Sequence, residues 1–216
     1  MTAKKMKILV QCDFDGTLTE EDISFSLLDA FAQGNWRQLL QEYREHKLPV
    51  GAFNTQAFAM IKADKATLLE AVKGEVKIRP GLQELVAYCS KRSYRLVIVS
   101  NGLDFYIKAI LEDIGLQDLE THAAQTWFHP EGMKVKYIGP NGEQLDTGLK
   151  EAYTKLFLEQ GYDIVYIGDG ISDIYPARHA YQVLARGDLL DQCKKDKLKC
   201  KPFGDLIDVV KALEFL

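Results

Sequence analysis

The stretch Cys12-Asp13-Phe14-Asp15-Gly16-Thr17 sets two carboxylates one residue apart, directly after the apolar run Ile8-Leu9-Val10. That run reads as a buried strand, and the acids stand where it stops and the chain turns at Gly16. Carboxylates are costly to bury unpaired. A pair at a strand's exit therefore points to a bound cation, a proton shuttle, or both. One acid can act as a nucleophile while its neighbour moves a proton. On its own, an Asp-x-Asp is more often a solvated turn. Three later stretches weigh against that. Ser100-Asn101-Gly102 ends an apolar run and opens a helical one, so a hydroxyl, an amide and free N–H groups suit either an anion such as phosphate or a plain N-cap. Lys150 stands at a helix start, where the dipole disfavours a cation, so it is either a solvated lysine or one with a task. Gly168-Asp169-Gly170-Ile171-Ser172-Asp173 follows another apolar run, and its glycines let a carboxylate approach another group closely. Together, Asp13, Asp15 and Asp169 would repel one another without a cation, and hard oxygen ligands with room for water point to Mg²⁺.

The elements that must position these residues follow from periodicity. Lys7 to Cys12 is the first strand. From about Thr19 to Lys77 the pattern is helical, with no convincing strand. Ile23, Leu27, Leu28 and Phe31 mark one helix, behind a capping box at Thr19-Glu20-Glu21-Asp22 and closed by Gly34. Trp36, Leu39, Leu40 and Tyr43 mark a second, ended before Pro49; Phe53, Ala57, Phe58 and Ile61 mark a third. Leu68, Leu69 and Val72 mark a fourth, after an N-cap at Asp64 and before a stop at Gly74. An insertion at that point hangs over whatever the acids bind, so these helices read as a lid. Strand and helix alternate again after Arg79-Pro80-Gly81. A helix carries Leu82, Leu85, Val86 and Cys89, and a strand runs from Arg95 to Ser100. After a turn at Asn101-Gly102, a helix carries Leu103, Ile107, Leu111 and Ile114. An irregular piece from about Ala124 to Leu145 contains a β-hairpin turning at Gly139-Pro140-Asn141-Gly142. Lys150 opens a helix with Tyr153, Leu156 and Phe157; Ile164 to Ile167 and Val183 to Ala185 are strands; Leu206, Val209, Val210 and Leu213 form the closing helix. This alternation implies an α/β fold, a doubly wound parallel sheet in which ligands sit at the carboxyl ends of strands.

Composition narrows the function. The chain has 216 residues, enough for one good core and a modest insertion. Its formal charge of -4 argues against a nucleic-acid surface. No apolar run is long enough to span a bilayer, and the basic start, Met1 to Lys7, precedes a run too short for a secretory signal, so a cytosolic protein is expected. Cys12, Cys89, Cys193 and Cys200 lack paired spacing and read as reduced core filler; a zinc site at Cys193 and Cys200 would need two more ligands. His46, His122, His129 and His179 show no metal spacing and are assigned no role.

Asp13-Phe14-Asp15-Gly16-Thr17, Ser100, Lys150 and Gly168-Asp169-Gly170-Ile171-Ser172-Asp173, in that order, resemble the four motifs of the haloacid dehalogenase superfamily. The resemblance spans nearly the whole chain. It implies a Rossmann-like core formed by residues 1–18 and 79–216, and an inserted helical cap of the C1 type at residues 19–78. A cap at that place resembles the phosphoserine-phosphatase-like branch. Within it, residues 13–22, Lys77-Ile78-Arg79-Pro80-Gly81 and Ser100-Asn101-Gly102-Leu103-Asp104-Phe105 look like the MtnX-type phosphatases of methionine salvage, which act on 2-hydroxy-3-keto-5-methylthiopentenyl 1-phosphate. The resemblance implies that Asp13 is the nucleophile and Asp15 the acid and base. It implies Mg²⁺ held by the carboxylates of Asp13 and Asp169 and the backbone carbonyl of Asp15. Ser100, Asn101 and Lys150 would hold the phosphoryl group, and Asp173 would orient a metal-bound water or Lys150. Two positions depart from related patterns. Asn101 stands where a glycine is usual, and Asp22 stands where phosphoserine phosphatases carry a glutamate for the substrate amine. The second departure favours the MtnX-type branch and makes Asp22 a candidate for substrate choice.

The expected partner is a small phosphorylated metabolite. Phosphoserine, phosphocholine and phosphoethanolamine are alternative substrates, and an alcohol could replace water as acceptor. A silent metabolite-binding protein is a reading of another class; the presence of Asp13, Asp15, Lys150 and Asp169 argues against it. An interaction module built on the lid would require an exposed apolar patch on residues 19–78. Oligomeric state is not readable.

Overall fold

A computed structural model describes residues 6–73 and 76–216. Strand β1 (Ile8–Cys12) is buried at every position, and its neighbours β2 (Arg95–Leu103) and β6 (Asp163–Gly168) pair with it in parallel. Fully buried Leu9, Val10, Val97, Ile98, Val99, Ile164, Val165 and Ile167 give these strands no polar face, as a central parallel sheet requires. Among the described residues the sheet has eight strands. In sequence they continue with β3 (Glu120–Trp127), β4 (Lys134–Ile138), β5 (Gln144–Leu145), β7 (Gln182–Ala185) and β8 (Lys201–Pro202). The spatial order is β5-β4-β3-β2-β1-β6-β7-β8, with β4 and β5 antiparallel and the rest parallel.

The chain leaves β1 toward β2 and β3, then returns to the other side of β1 through β6, β7 and β8. Right-handed crossovers in opposite directions place helices on opposite faces. Accordingly α5 (Leu82–Arg92) packs against the closing α10 (Leu206–Leu213), and α7 (Leu149–Glu159) packs against α8 (Ile174–Ala177). The two remaining core helices are α6 (Asp104–Asp113) and α9 (Gly187–Lys195). The strand order reverses between β1 and β6, and a cleft opens there at the carboxyl ends. The fold is the α/β, doubly wound architecture expected.

Among the described residues, four helices lie between β1 and α5: α1 (Ile23–Phe31), α2 (Trp36–Arg44), α3 (Val50–Phe58) and α4 (Lys65–Lys73). The cap of α1 is Asp22 alone, whose Oδ1 accepts from Phe25 N at 2.9 Å; Thr19 Oγ1 instead donates to Glu21 O. The Thr19 capping box is therefore corrected. α1 also stops at Phe31, before Gly34, because Ala32 turns extended and bridges to Ile61, which lies beyond α3. Asp64 caps α4 through Thr67 N, at 2.8 Å. The stop expected at Gly74 lies outside the described residues. The chain enters and leaves this insertion side by side, where Thr19 bridges Ile78 antiparallel and Glu20 N donates to Lys77 O.

Three further differences have local causes. Asn101-Gly102 is not a turn: β2 runs on to Leu103 with a register shift against β3, and α6 starts at Asp104. The part of β3 before Ala124, together with β8 and α9, has no clear signature in sequence. β3 is mostly half-buried, β8 is two exposed residues, and α9 buries only Leu189 and Cys193. The expected hairpin is present as β4 and β5, and its strand β4 also pairs with β3.

Candidate active site

The cleft at the switch point has a volume of about 270 Å³. Its floor is made by Asp13, Asp15, Ser100, Lys150 and Asp169, and its wall by residues of α1 to α3. Every strand-end motif read from the sequence contributes to it.

Asp13 follows β1 directly and is 5% exposed. Its Oδ1 accepts from Phe14 N at 2.7 Å, and its Oδ2 is paired with Lys150 Nζ at 2.6 Å. Burial pushes the Asp13 carboxyl up to about 6, although Lys150 pulls it back. Lys150 has an equal 2.6 Å contact with Asp173 Oδ1. Burial alone disfavours the ammonium, but Asp13 and Asp173 outweigh it and hold Lys150 charged, well above the usual lysine range. This explains a lysine in the first turn of a helix: two carboxylates override the dipole. Gln11 anchors that turn to β1, donating to Lys150 O at 3.0 Å and accepting from Thr154 Oγ1 at 2.7 Å.

Asp173 is wholly occupied. Its Oδ1 accepts from Lys150 and, at 2.5 Å, from Tyr166 OH; its Oδ2 accepts from Asp169 N and Gly170 N. It braces the loop that presents Asp169 and holds Lys150 in place. Asp169 Oδ1 accepts from Thr17 Oγ1 at 2.6 Å. A Cβ on Gly16 would stand 2.4 Å from Asp169 Oδ2, and Gly16 also has φ +73°, so only glycine lets the two loops meet.

One carboxylate oxygen from each of Asp13, Asp169 and Asp173 lies within 4.8 Å of the others. Burial, then repulsion from Asp13 and Asp173, pushes Asp169 up to about 8. One ammonium among these acids leaves uncompensated negative charge on hard oxygen donors, which fits a divalent cation such as Mg²⁺. With Asp173 saturated, the carboxylates left to hold it are Asp13 and Asp169.

The Asp15 side chain is turned another way. Its Oδ1 accepts from Ile23 N at 3.1 Å, at the start of α1, and its Oδ2 accepts from Tyr106 OH at 2.5 Å. Burial, then the charge of Asp22, holds Asp15 well above the usual carboxylate range. Asp22 lines the same cleft, and burial pushes it up to about 6.

Ser100 is buried, and its Oγ accepts from Gly102 N at 3.0 Å. The Asn101 amide turns to Ser172, donating to its Oγ at 3.1 Å. The Asn101 carbonyl accepts from Asn54 Nδ2 of α3 and from Tyr137 OH of β4. Asn101 thus ties the second strand-end loop to the fourth, to the insertion and to the hairpin. Tyr106, Tyr166, Ser24, Asn54 and Tyr137 were not singled out in sequence. For the three tyrosines the one local sign is a hydroxyl on an otherwise apolar face, which must find a partner; Ser24 and Asn54 carry none.

All four cysteines are free; Cys12, Cys89 and Cys193 are buried. Among the described residues, the Asp13, Asp169 and Asp173 group is the one metal-competent cluster, and it includes no cysteine. Among them too, no large hydrophobic residue between 19 and 78 is exposed, and no helix is long and apolar enough to cross a membrane. His122 stacks on Tyr153 and bonds Glu120, away from the cleft.

A family model described as haloacid dehalogenase-like hydrolase matches residues 10–178. The chain belongs to that family. This hydrolase is 30% identical to the 2-hydroxy-3-keto-5-methylthiopentenyl-1-phosphate phosphatase of Geobacillus thermodenitrificans (strain NG80-2), over 98% of each chain. It is 28% identical to the protein of that name from Brevibacillus brevis (strain 47), over 96% of each. Among solved structures, a phospho-aspartyl intermediate analogue of phosphoserine phosphatase superposes with a TM-score of 0.71, at 22% identity, over 97% of this chain and 99% of that one. That likeness is one of fold.

Proposed function

We propose that this hydrolase is a Mg²⁺-dependent phosphatase that cleaves a small phosphate monoester through an aspartyl-phosphate. The observation that carries the reading is the buried Asp13 beside Lys150, with Asp15 held apart by its own partners. Two carboxylates one residue apart are thereby given different surroundings and different tasks.

An Asp13 oxygen attacks phosphorus, and the bond from phosphorus to the substrate alcohol breaks. Asp15 gives its proton to the departing alkoxide. Asp15 then takes a proton from the water that attacks phosphorus, and the bond to Asp13 breaks to release phosphate. Lys150, Ser100 and the backbone at Asn101 hold the phosphoryl oxygens. Asp13 and Asp169, with the backbone carbonyl of Asp15, would hold the metal ion, which would supply positive charge to the phosphoryl oxygens. Asp173 keeps Lys150 and the Asp169 loop in position. Residues 19–78 act as a cap on a core of residues 1–18 and 79–216, and their closure excludes bulk water.

The favoured substrate is 2-hydroxy-3-keto-5-methylthiopentenyl 1-phosphate, which would place the protein in methionine salvage in the cytosol. Two observations support it: relatives matched over nearly their full length bear that name, and the cleft wall is mixed. Phe25, Leu40, Val50 and Phe53 suit a thioether chain, while Asp22, Ser24 and Asn54 suit hydroxyl and keto groups. Phosphate release from a panel of this ester, phosphoserine, phosphocholine and phosphoethanolamine tests the reading. Release that requires Mg²⁺ and is lost in Asp13→Asn is expected, with a fall of roughly 10³-fold or more. Release that survives in that variant would sink the nucleophile assignment. Preference for another ester would move the substrate but keep the reaction.

A further inference from the structure

Tyr106 is fully buried, and its hydroxyl meets two residues that line the cleft, Asp15 and Ser24. It stands on α6, three residues into the helix, and its ring is fixed edge-on against Phe105 at 5.4 Å. Its hydroxyl donates to Asp15 Oδ2 at 2.5 Å and lies 2.8 Å from Ser24 Oγ of α1. Gly102 leaves the room for this: a Cβ there would stand 2.2 Å from both Asp15 Oδ2 and the Tyr106 hydroxyl. The other carboxylate oxygen of Asp15 accepts from Ile23 N of α1. Two contacts, one on each oxygen, determine the rotation of the Asp15 carboxyl plane. One comes from the core helix α6 and the other from the inserted helix α1. A tyrosine hydroxyl both donates and accepts, so its contact survives whether Asp15 carries a proton or has given it up. Ser24 takes or supplies the other half of that exchange.

We infer that Tyr106, backed by Ser24, is the positioning residue that aims the Asp15 carboxyl at the leaving alcohol. The inference rests on the phosphatase reading above, in which Asp15 is the acid. It implies a dependence on the leaving group. An alkoxide cannot leave without a proton, whereas p-nitrophenolate can. A misaimed acid therefore slows alkyl esters and spares aryl esters, while a general loss of structure slows both.

The test measures alcohol release in a single turnover, with Mg²⁺ and enzyme in excess. The probes are p-nitrophenyl phosphate and the best alkyl monoester of the panel. The proteins are wild type, Tyr106→Phe, Ser24→Ala and Asp15→Asn. In Tyr106→Phe the alkyl rate should fall roughly 10- to 100-fold, and the aryl rate at least about tenfold less steeply. Ser24→Ala should shift the alkyl-to-aryl ratio in the same direction by a smaller factor. The ratio is independent of the folded fraction, so a partly misfolded variant still reports. Equal falls on both esters, or none on either, would overturn the inference while the phosphatase reading stands. No release from either ester by wild type would remove that reading and the inference with it. Release from the alkyl ester by Asp15→Asn at the wild-type rate would show that Asp15 is not the acid, and Tyr106 would then have nothing to aim.

Discussion

Asp22 shows how one side chain can serve two ends that pull apart. It caps α1, and it brings a carboxylate into a cleft already holding Asp15. Burial pushes it up to about 6, from 3.8 for a free aspartate. The group binds a proton more readily folded than unfolded, so its contribution to stability is whole below the unfolded value. That contribution is lost as pH rises through about 6. Asn at this position caps a helix about as well as Asp and carries no charge. Asp22→Asn should therefore be more stable than wild type at pH 7.5 by on the order of 1–3 kcal/mol and unfold at higher temperature, with the difference nearly vanishing near pH 4. Thermal scans of both proteins at the two pH values check this. If Asp22 meets the substrate, KM should rise in the same variant. A gain in stability with no change in KM would leave Asp22 a cap and nothing more.

At the scale of elements, the insertion is held at its root by one side chain. Arg79, 5% exposed, donates to the carbonyls of Gly16, Thr17 and Thr19 at 2.7 to 2.9 Å. Its own N–H donates to Leu18 O at 2.8 Å. The guanidinium thus gathers the carbonyls of the turn entering the insertion from the segment leaving it. A lysine carries its three N–H donors on one nitrogen and cannot match the fork by which Nε and Nη2 reach three separate carbonyls. Arg79→Lys should cost roughly 2–4 kcal/mol in urea unfolding, because buried carbonyls lose charged donors. It should also raise KM, since the entry turn carries Gly16 and Thr17 against Asp169. An unchanged unfolding midpoint would mean that water replaces the guanidinium without loss. Arg79 was legible only as part of a short stretch resembling MtnX-type proteins. Its partners are 60 or more residues away in the chain, and no local pattern reports them.

For the molecule as a whole, the acid cluster joins metal binding to stability. Folding brings Asp13, Asp169 and Asp173 together, and a cation that binds only the folded chain stabilises it by mass action. Mg²⁺ at about one hundred times its dissociation constant should add roughly 2.7 kcal/mol. For a chain of this length that corresponds to a rise in Tm of about 5–10 °C. EDTA should reverse the rise, and Asp169→Asn should abolish most of it. Equal melting curves with and without Mg²⁺ would argue against the cation site.

The sequence by itself determined the order of the motifs, the strands that carry them and the α/β class. Those features are local: Ile8 to Val10 or Ile164 to Ile167 is apolar throughout because the strand is buried on both faces, and the acids follow at once. The residues it singled out at Asp13, Asp15, Ser100, Asn101 and Asp169, and Lys150 in the first turn of α7, do line one cleft. Tertiary structure alone decided which oxygen of each acid is free. Asp173 is saturated by Lys150, Tyr166 and two backbone amides, Asp15 is held by Tyr106 and Ile23, and Asn101 is turned away to Ser172. It also decided that Glu120 to Trp127 is a strand, since its pairing with β2 on one side and β4 on the other overrides a weak local pattern. The reason is the same in each case. Periodicity records which face of a segment is buried, whereas a hydrogen-bond partner or a sheet neighbour is fixed only when distant parts of the chain are brought into contact.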